Sequence, residues 1–318
     1  MAMKVAIVTD STCDLPEDIL SQYGIHEIAL RVVINGQSRF DDGVDLNHET
    51  FYDDFVTNKS TQDVSTAPPT TTDFLNLYKQ LCLNYDAVLS IHIADKFSDT
   101  VKNARAAAMK GAEYFKAARL QKDLSTPFQV RVIDSRSVTI GLGLLVMRAA
   151  ELLGEGVSFA ALGNALEVLA NDVHVYLVVD DLSYVRARRR GANISLLQLG
   201  MASLLDIKPI LFINKGETKT IDKKRGYDTA TAEVMRIVID LLQKKECYEK
   251  VGITYSGNKS TLSEMKGLDT FRTDLAAMGV GSIFAIMGPT LGYYSGPKCL
   301  AIAFINGDVK ASKLLKQG

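Results

Sequence analysis

The chain reads as an α/β protein in two parts: an N-terminal α/β domain on a parallel sheet (1–156) and a C-terminal α/β domain on a more mixed sheet (157–318). Three observations predict this. Short apolar runs such as Lys4–Thr9 (KVAIVT) and Ala87–Ile93 (AVLSIHI) have the length and β-branched content of buried strands. They alternate with helical stretches such as Thr72–Leu83 and Gly141–Leu153, the order expected of a parallel sheet covered on both faces. Finally, Gly154-Glu155-Gly156-Val157-Ser158 is the best internal break in a chain whose 318 residues suit about two domains.

The elements follow in order. Lys4–Thr9 is a strand and Asp10–Asp14 the polar turn after it. Pro16 suits the first turn of a short helix, Glu17–Tyr23, which Gly24 ends. Ile28–Ile34 reads as one strand, Asn35-Gly36 as a hairpin turn and Gln37–Phe40 as the returning strand. Asn47 caps a helix to about Asn58. Ser65–Thr70 (STAPPT) reads as a loop stiffened by two prolines. Thr72–Leu83 places Phe74, Leu75, Tyr78 and Leu81 on or near one helical face. The strand Ala87–Ile93 gives way, through Ala94–Ser98, to an alanine-rich helix with Ser98 at its N-cap. Val130–Ile133 is a strand before the apolar helix Gly141–Leu153, and Ser158 caps another to about Ala170. Val173–Val179, Ile207–Ile213, Val251–Tyr255, Ser282–Met287 and Cys299–Ile305 are predicted strands. Ile194–Leu205, Thr229–Lys245 and Ser260–Ala277 are predicted helices.

The totals exclude several functions. A net charge of -1 argues against bulk nucleic-acid affinity. Cys13, Cys82, Cys247 and Cys299 lie far apart, as reduced thiols of a cytoplasmic protein do. The chain enters a strand at once, so no signal peptide is expected, and no apolar run approaches the ~20 residues of a membrane span. The expectation is a soluble, cytoplasmic protein without stable membrane anchoring. His26, His48, His92 and His174 lack metal-ligand spacing, and His92, inside a strand, reads as a core residue. No phosphate-binding glycine loop or serine nucleophile elbow is present. Asp10 and Asp14 lack the further carboxylates that Mg²⁺-dependent phosphotransfer needs. No cofactor, metal or catalytic residue is expected.

Three polar turns remain: Asp10–Asp14, Ser65–Pro69 and Ser98–Thr100. Ligands of open α/β sheets sit at the carboxyl ends of strands, so these turns either converge on one crevice or are unconnected caps. Ser98 and Thr100, where a strand breaks into a helix, are suited to an acidic head group, because the first helical N–H groups lack partners; alternatively Ser98 only caps. Gly288–Pro297 (GPTLGYYSGP) looks too irregular for a helix. It reads as a close backbone approach to a ligand or as a bulged hairpin. Arg186, Arg188, Arg189 and Arg190, with Lys223, Lys224 and Arg225, form either a docking patch for a phosphate or acidic partner or a solvated helix end.

Together VTDSTCDLP, STAPPTT, KFSDT, VIDSRS followed by GLG, DIKPIL and GPTLGYYSGP resemble, in order and over nearly the whole chain, the DegV family of bacterial fatty-acid-binding proteins, the B subunits of fatty acid kinase. The resemblance implies a non-enzymatic carrier with one long-chain fatty acid between its two domains. The carboxylate is presented to a separate ATP-binding kinase subunit, which makes acyl phosphate. The family's Thr-Ser-Gln-Pro loop reads Ser65-Thr66-Ala67-Pro68 here, and its Leu-Ser-Gly-Thr turn reads Phe97-Ser98-Asp99-Thr100. Its Gly-Thr-His-Thr-Gly-Pro-Gly reads Gly292-Tyr293-Tyr294-Ser295-Gly296-Pro297-Lys298, so Tyr294 replaces the head-group histidine. A phenol donates a hydrogen bond but carries no positive charge. The family's Gly-Gly-Arg-Ile reads Gly191-Ala192-Asn193-Ile194, with Arg190 as a stand-in for the missing arginine. The expected ligand site is Ser65, Thr66, Ser98, Thr100, Gly292, Tyr294 and Ser295, with Arg190 and Arg225 toward the kinase. The alternatives are a carrier of a different amphiphile and a phosphotransfer enzyme of small polyols on a related fold.

Overall fold

A computed structural model describes residues 3–57, 63–182, 184, 206–244 and 247–307. Strand β1 (Val5–Asp10) runs into a 3-10 turn at Ser11–Cys13, then helix α1 (Glu17–Tyr23). Gly24 ends α1 in the left-handed conformation, φ 60°. Strands β2 (His26–Ile28), β3 (Arg31–Ile34) and β4 (Gln37–Phe40) and helix α2 (His48–Thr57) follow. Asn35 and Gly36, at φ 50° and 78°, make the tight β3–β4 turn. Next come β5 (Val64–Ala67), α3 (Thr71–Leu81), β6 (Ala87–His92), α4 (Thr100–Leu120), β7 (Gln129–Asp134), α5 (Thr139–Gly154) and α6 (Phe159–Leu169). The remaining elements are β8 (Val173–Val178), β9 (Ile207–Asn214), β10 (Glu217–Arg225), α7 (Tyr227–Leu242), β11 (Lys250–Tyr255), α8 (Lys259–Ser263), α9 (Leu268–Ala277), β12 (Gly281–Ile286), α10 (Pro289–Ser295) and β13 (Leu300–Ile305).

Three sheets result among the described residues. The first is parallel throughout, in the order β2-β1-β6-β7. A small antiparallel sheet, β4-β3-β5, stands beside it. The third has the order β10-β9-β8-β13-β11-β12 and is mixed, because β11 and β12 run parallel while its other pairs are antiparallel. The protein is therefore α/β, parallel in its N-terminal part and mixed in its C-terminal part.

Helix α5 joins these parts. It is largely apolar and buried from Thr139 to Ala150, as a helix packed on both faces must be. Its glycines mark the two contacts. A Cβ on Gly143 would lie 2.5 Å from the carbonyl oxygen of Cys13, on the parallel-sheet side. One on Gly141 would lie 2.5 Å from Val175 Cγ2, on β8 of the mixed sheet. The largest core cluster accordingly runs through both parts, from Ile7 and Leu89 to Val173 and Ala301.

Several expectations need correction. Ile28–Ile34 is not one strand. β2 extends the parallel sheet, the chain leaves it at Ala29-Leu30, and β3 pairs in the antiparallel sheet. Ser65–Thr70 is not all loop, since Ser65–Ala67 belong to β5 and pair with β3. Ser98 is not the N-cap of α4; that position is Asp99, which makes no capping hydrogen bond. The stretch after Gly288 is helical as α10, with Pro289 in its first turn where the missing N–H costs nothing. Ser260–Ala277 is two helices, α8 and α9, separated before Gly267 at φ 84°. The arginine cluster at 186–190, the departure at Asn193 and the predicted helix Ile194–Leu205 lie outside the described residues.

Candidate functional site

The carboxyl ends of the parallel strands face the mixed sheet across a cavity. About 160 Å³ of it is open to the centres of water molecules, over ten times the ~10–15 Å³ that one water needs. Its apolar wall comes from both parts: Leu30, Ile93 and Val138 on one side, Leu177, Leu211 and Ile213 on the other. Among the described residues its polar lining consists of the hydroxyls of Thr66, Ser98, Thr139, Thr218, Thr290, Tyr294 and Ser295, and no charged side chain lines it.

Two of the expected residues meet across 228 positions of sequence: Thr66 Oγ1 and the Tyr294 phenol are 2.8 Å apart. Alternation along β5 points Thr66 toward the cavity and leaves its neighbour Ser65 exposed on the other face. Ser98 lines the cavity and shares a hydrogen bond of 2.8 Å with Thr100, which is itself fully buried and not in the lining. The amide of Asn103, one turn into α4, donates to the Pro69 carbonyl at 2.8 Å, docking the positive end of α4 on the loop after Thr66. Ser295 lines the cavity and donates to Met287 Sδ at 3.4 Å. Gly292 packs against Tyr52 and is not in the lining: a Cβ there would lie 2.6 Å from Tyr52 Cζ.

Of the docking arginines, Arg190 lies outside the described residues. Arg225 is exposed at the last position of β10, roughly 23 Å along the strand from Thr218 at ~3.3 Å per residue. Lys224 beside it is engaged by Asp222 at 2.9 Å and Glu233 at 3.3 Å. Asp99, where the resembled motif has glycine, is exposed, 3.7 Å from Lys102, and does not line the cavity.

A polar network behind the lining was only half visible as the turn Asp10–Asp14. Asp10 is buried and accepts from Ile93 N at 3.0 Å, with His92 Nδ1 at 2.9 Å; His92 Nε2 meets Ser90 Oγ at 2.6 Å. His92 is thus held in the core, as its place in a strand suggested, and does not line this cavity. Asp14 accepts from Gly288 N at 2.8 Å and from Thr139 Oγ1, while Asp41 accepts from Thr290 N at 3.0 Å. The Tyr52 phenol donates to the Met287 carbonyl at 2.7 Å. Three side chains of the N-terminal part therefore grip the start of α10. Burial raises the Asp14 carboxyl to about 7, although Thr139 and Gly288 pull it down. Burial, with the charges of Asp41 and Asp10, raises Glu27 to about 8. Burial opposes charge on His48, but Asp41 at 3.2 Å outweighs it and the imidazole is raised.

The arrangement offers hydrogen-bond donors on an apolar cavity. Among the described residues no lining serine has a histidine beside it, and no group of His, Cys, Asp and Glu is placed to hold a metal ion. Also among the described residues, no helix is long and apolar enough to cross a membrane.

Comparison with known proteins decides the family. A statistical model described as "Uncharacterised protein, DegV family" matches residues 4–307. The chain belongs to the DegV family. A DegV domain-containing protein of Caldanaerobacter subterraneus is 30% identical over 304 residues, 95% of this chain and 98% of that protein. Among solved structures, "Fatty Acid Binding of a DegV family Protein from Thermus thermophilus" is 26% identical at a TM-score of 0.75, covering 96% of this chain and all of that one (100%). The Bacillus subtilis structure described as DegV, a fatty acid binding protein, is 24% identical at a TM-score of 0.77, covering 96% of this chain and 100% of its own; it shows the shared fold. The DegV fold thus accounts for the two parts and their sheets.

Proposed function

We propose that the cavity takes the acyl chain of a long-chain fatty acid, and that this DegV-family chain presents the carboxylate to a separate ATP-binding kinase subunit for acyl phosphate formation. The observation that carries the reading is the cavity itself, apolar over most of its wall and polar only through hydroxyls, with the Thr66–Tyr294 pair among them. The Thermus thermophilus relative supports it, since its structure is described as one of fatty acid binding. Burying the acyl chain supplies about 0.8 kcal/mol per CH₂. Thr66, Tyr294 and Ser98 supply neutral donors, and the start of α4 adds the positive end of its dipole. The chain is a carrier in this account, dividing into domains 1–156 and 157–318 and working in the cytoplasm, and exposed Arg225 faces the kinase.

Titration with a fluorescent long-chain fatty acid tests the binding. One saturable site, weakened about tenfold or more by Thr66→Val combined with Tyr294→Phe, is expected. Tight binding of a fatty alcohol or another neutral amphiphile, with the acid excluded, would instead make Tyr294 the mark of a less acidic head group. For the second half of the reading, an ATP-dependent fatty acid kinase subunit should form acyl phosphate only when this chain is added.

A further inference from the structure

Thr290 differs from the hydroxyls of Thr66, Ser98, Thr139, Tyr294 and Ser295 in the same cavity wall. It lines the wall and is 3% exposed, yet its Oγ1 has no hydrogen-bond partner among the described residues. Thr66 and Tyr294 satisfy each other, Ser98 has Thr100, and Thr139 has Asp14 and Thr254. Ser295 donates to Met287 Sδ and the Gly296 carbonyl. Buried polar groups in native proteins are nearly always paired, so an orphan hydroxyl in a cavity wall calls for a partner that enters the cavity. The backbone beneath Thr290 is also unusually well held. Asp41 accepts from the Thr290 N–H, Asp14 accepts from that of Gly288, and Tyr52 donates to the Met287 carbonyl. Thr290 and Tyr294 are four residues apart on α10, so they share a face, with Cβ atoms about 5–6 Å apart.

We propose that Thr290 is a further ligand-binding residue, whose hydroxyl donates to the carboxylate of the bound acid alongside Tyr294, and that Asp41 and Asp14 are positioning residues that hold it there. The proposal deepens the fatty-acid reading above and rests on it. Nothing in the motifs GPTLGYYSGP or STAPPTT marks Thr290, because its role follows from burial and a missing partner rather than from residue type.

Thr290→Val keeps the shape and removes the hydroxyl, and the test pairs it with Thr290→Ser, which keeps the hydroxyl. The probe is a fluorescent long-chain fatty acid, titrated into each full-length protein, with thermal midpoints measured on the lipid-free forms. Thr290→Val is expected to bind roughly tenfold to a hundredfold more weakly, the range for a hydrogen bond to a charged group, with a midpoint equal to or above wild type. Thr290→Ser should stay within about threefold of wild type. Asp41→Asn should weaken binding in the wild-type background and add little in the Thr290→Val background, because the two then act through one contact. Equal affinity of Thr290→Val and wild type would overturn the role of Thr290 and leave the fatty-acid reading intact. A lowered midpoint for Thr290→Val would also overturn it, by making the hydroxyl structural. A folded wild-type protein that binds no labelled acid would remove the fatty-acid reading and this proposal with it.

Discussion

Gly292→Ala should destabilise the protein, although the same change inside an exposed helix would stabilise it by about 1 kcal/mol. The reason is Tyr52. A Cβ at position 292 would lie 2.6 Å from Tyr52 Cζ and 2.8 Å from Cε1, well inside contact distance. The ring has no free space to move into, since Tyr52 is 2% exposed and its phenol is tied to the Met287 carbonyl at 2.7 Å. Forcing a methyl group into a packed site costs about 1–3 kcal/mol. Losing the phenol–carbonyl bond and leaving the carbonyl buried adds about 1–3 kcal/mol. After the helix-propensity gain, the net loss is about 3 kcal/mol. Equilibrium unfolding in urea would report it as a lower midpoint at unchanged slope. An added Cβ would also overlap the Tyr52 phenol oxygen, which Tyr52→Phe removes, so Gly292→Ala should cost less in that background. A Gly292→Ala protein as stable as wild type would refute the packing argument and return Gly292 to the role its motif suggested, close approach of the backbone to a ligand.

Other predictions separate the remaining roles. Because Thr66 lines the cavity and Ser65 does not, Thr66→Val should weaken fatty-acid binding about tenfold while Ser65→Ala leaves it unchanged; isothermal titration distinguishes them. Arg225→Glu should leave lipid affinity untouched and reduce acyl phosphate formation in the reconstituted kinase reaction, since the residue is exposed at the far end of β10. Stability should fall as pH rises. Asp14 and Glu27 have folded-state values raised from 3.8 and 4.5 to about 7 and about 8, so between those values the folded protein keeps protons that the unfolded chain has released. His48, also raised, contributes in the same direction. Urea unfolding should show a loss of roughly 2–4 kcal/mol from pH 6 to pH 8, and a gain over that interval would contradict the burial of these groups.

The strands of the core were legible because burial on both faces leaves an unbroken apolar run, as in β6 and β13, which are buried at every position. Strand β10 was missed for the opposite reason. Its sequence, ETKTIDKKR, is mostly charged, and it is a strand because β9 pairs with it at the sheet edge. β5 was hidden by the prolines that follow it, and only its pairing with β3 reveals it. α10 was hidden by Gly292, which local propensity counts against a helix and which packing on Tyr52 requires. Within the site, Ser98, Thr66, Tyr294 and Ser295 were visible through motifs that resemble the DegV family. Ser65 and Thr66 could not be told apart until β5 assigned them to opposite faces. The grip of Asp14, Asp41 and Tyr52 on α10 joins residues more than 200 positions apart, and no local pattern encodes it.

The most direct test of the central claim is denaturing extraction of the purified protein followed by mass spectrometry of the released small molecules. The account predicts a long-chain fatty acid at close to one per chain. A polar metabolite in its place, or a folded protein that carries no lipid and takes up none when it is offered, would contradict it.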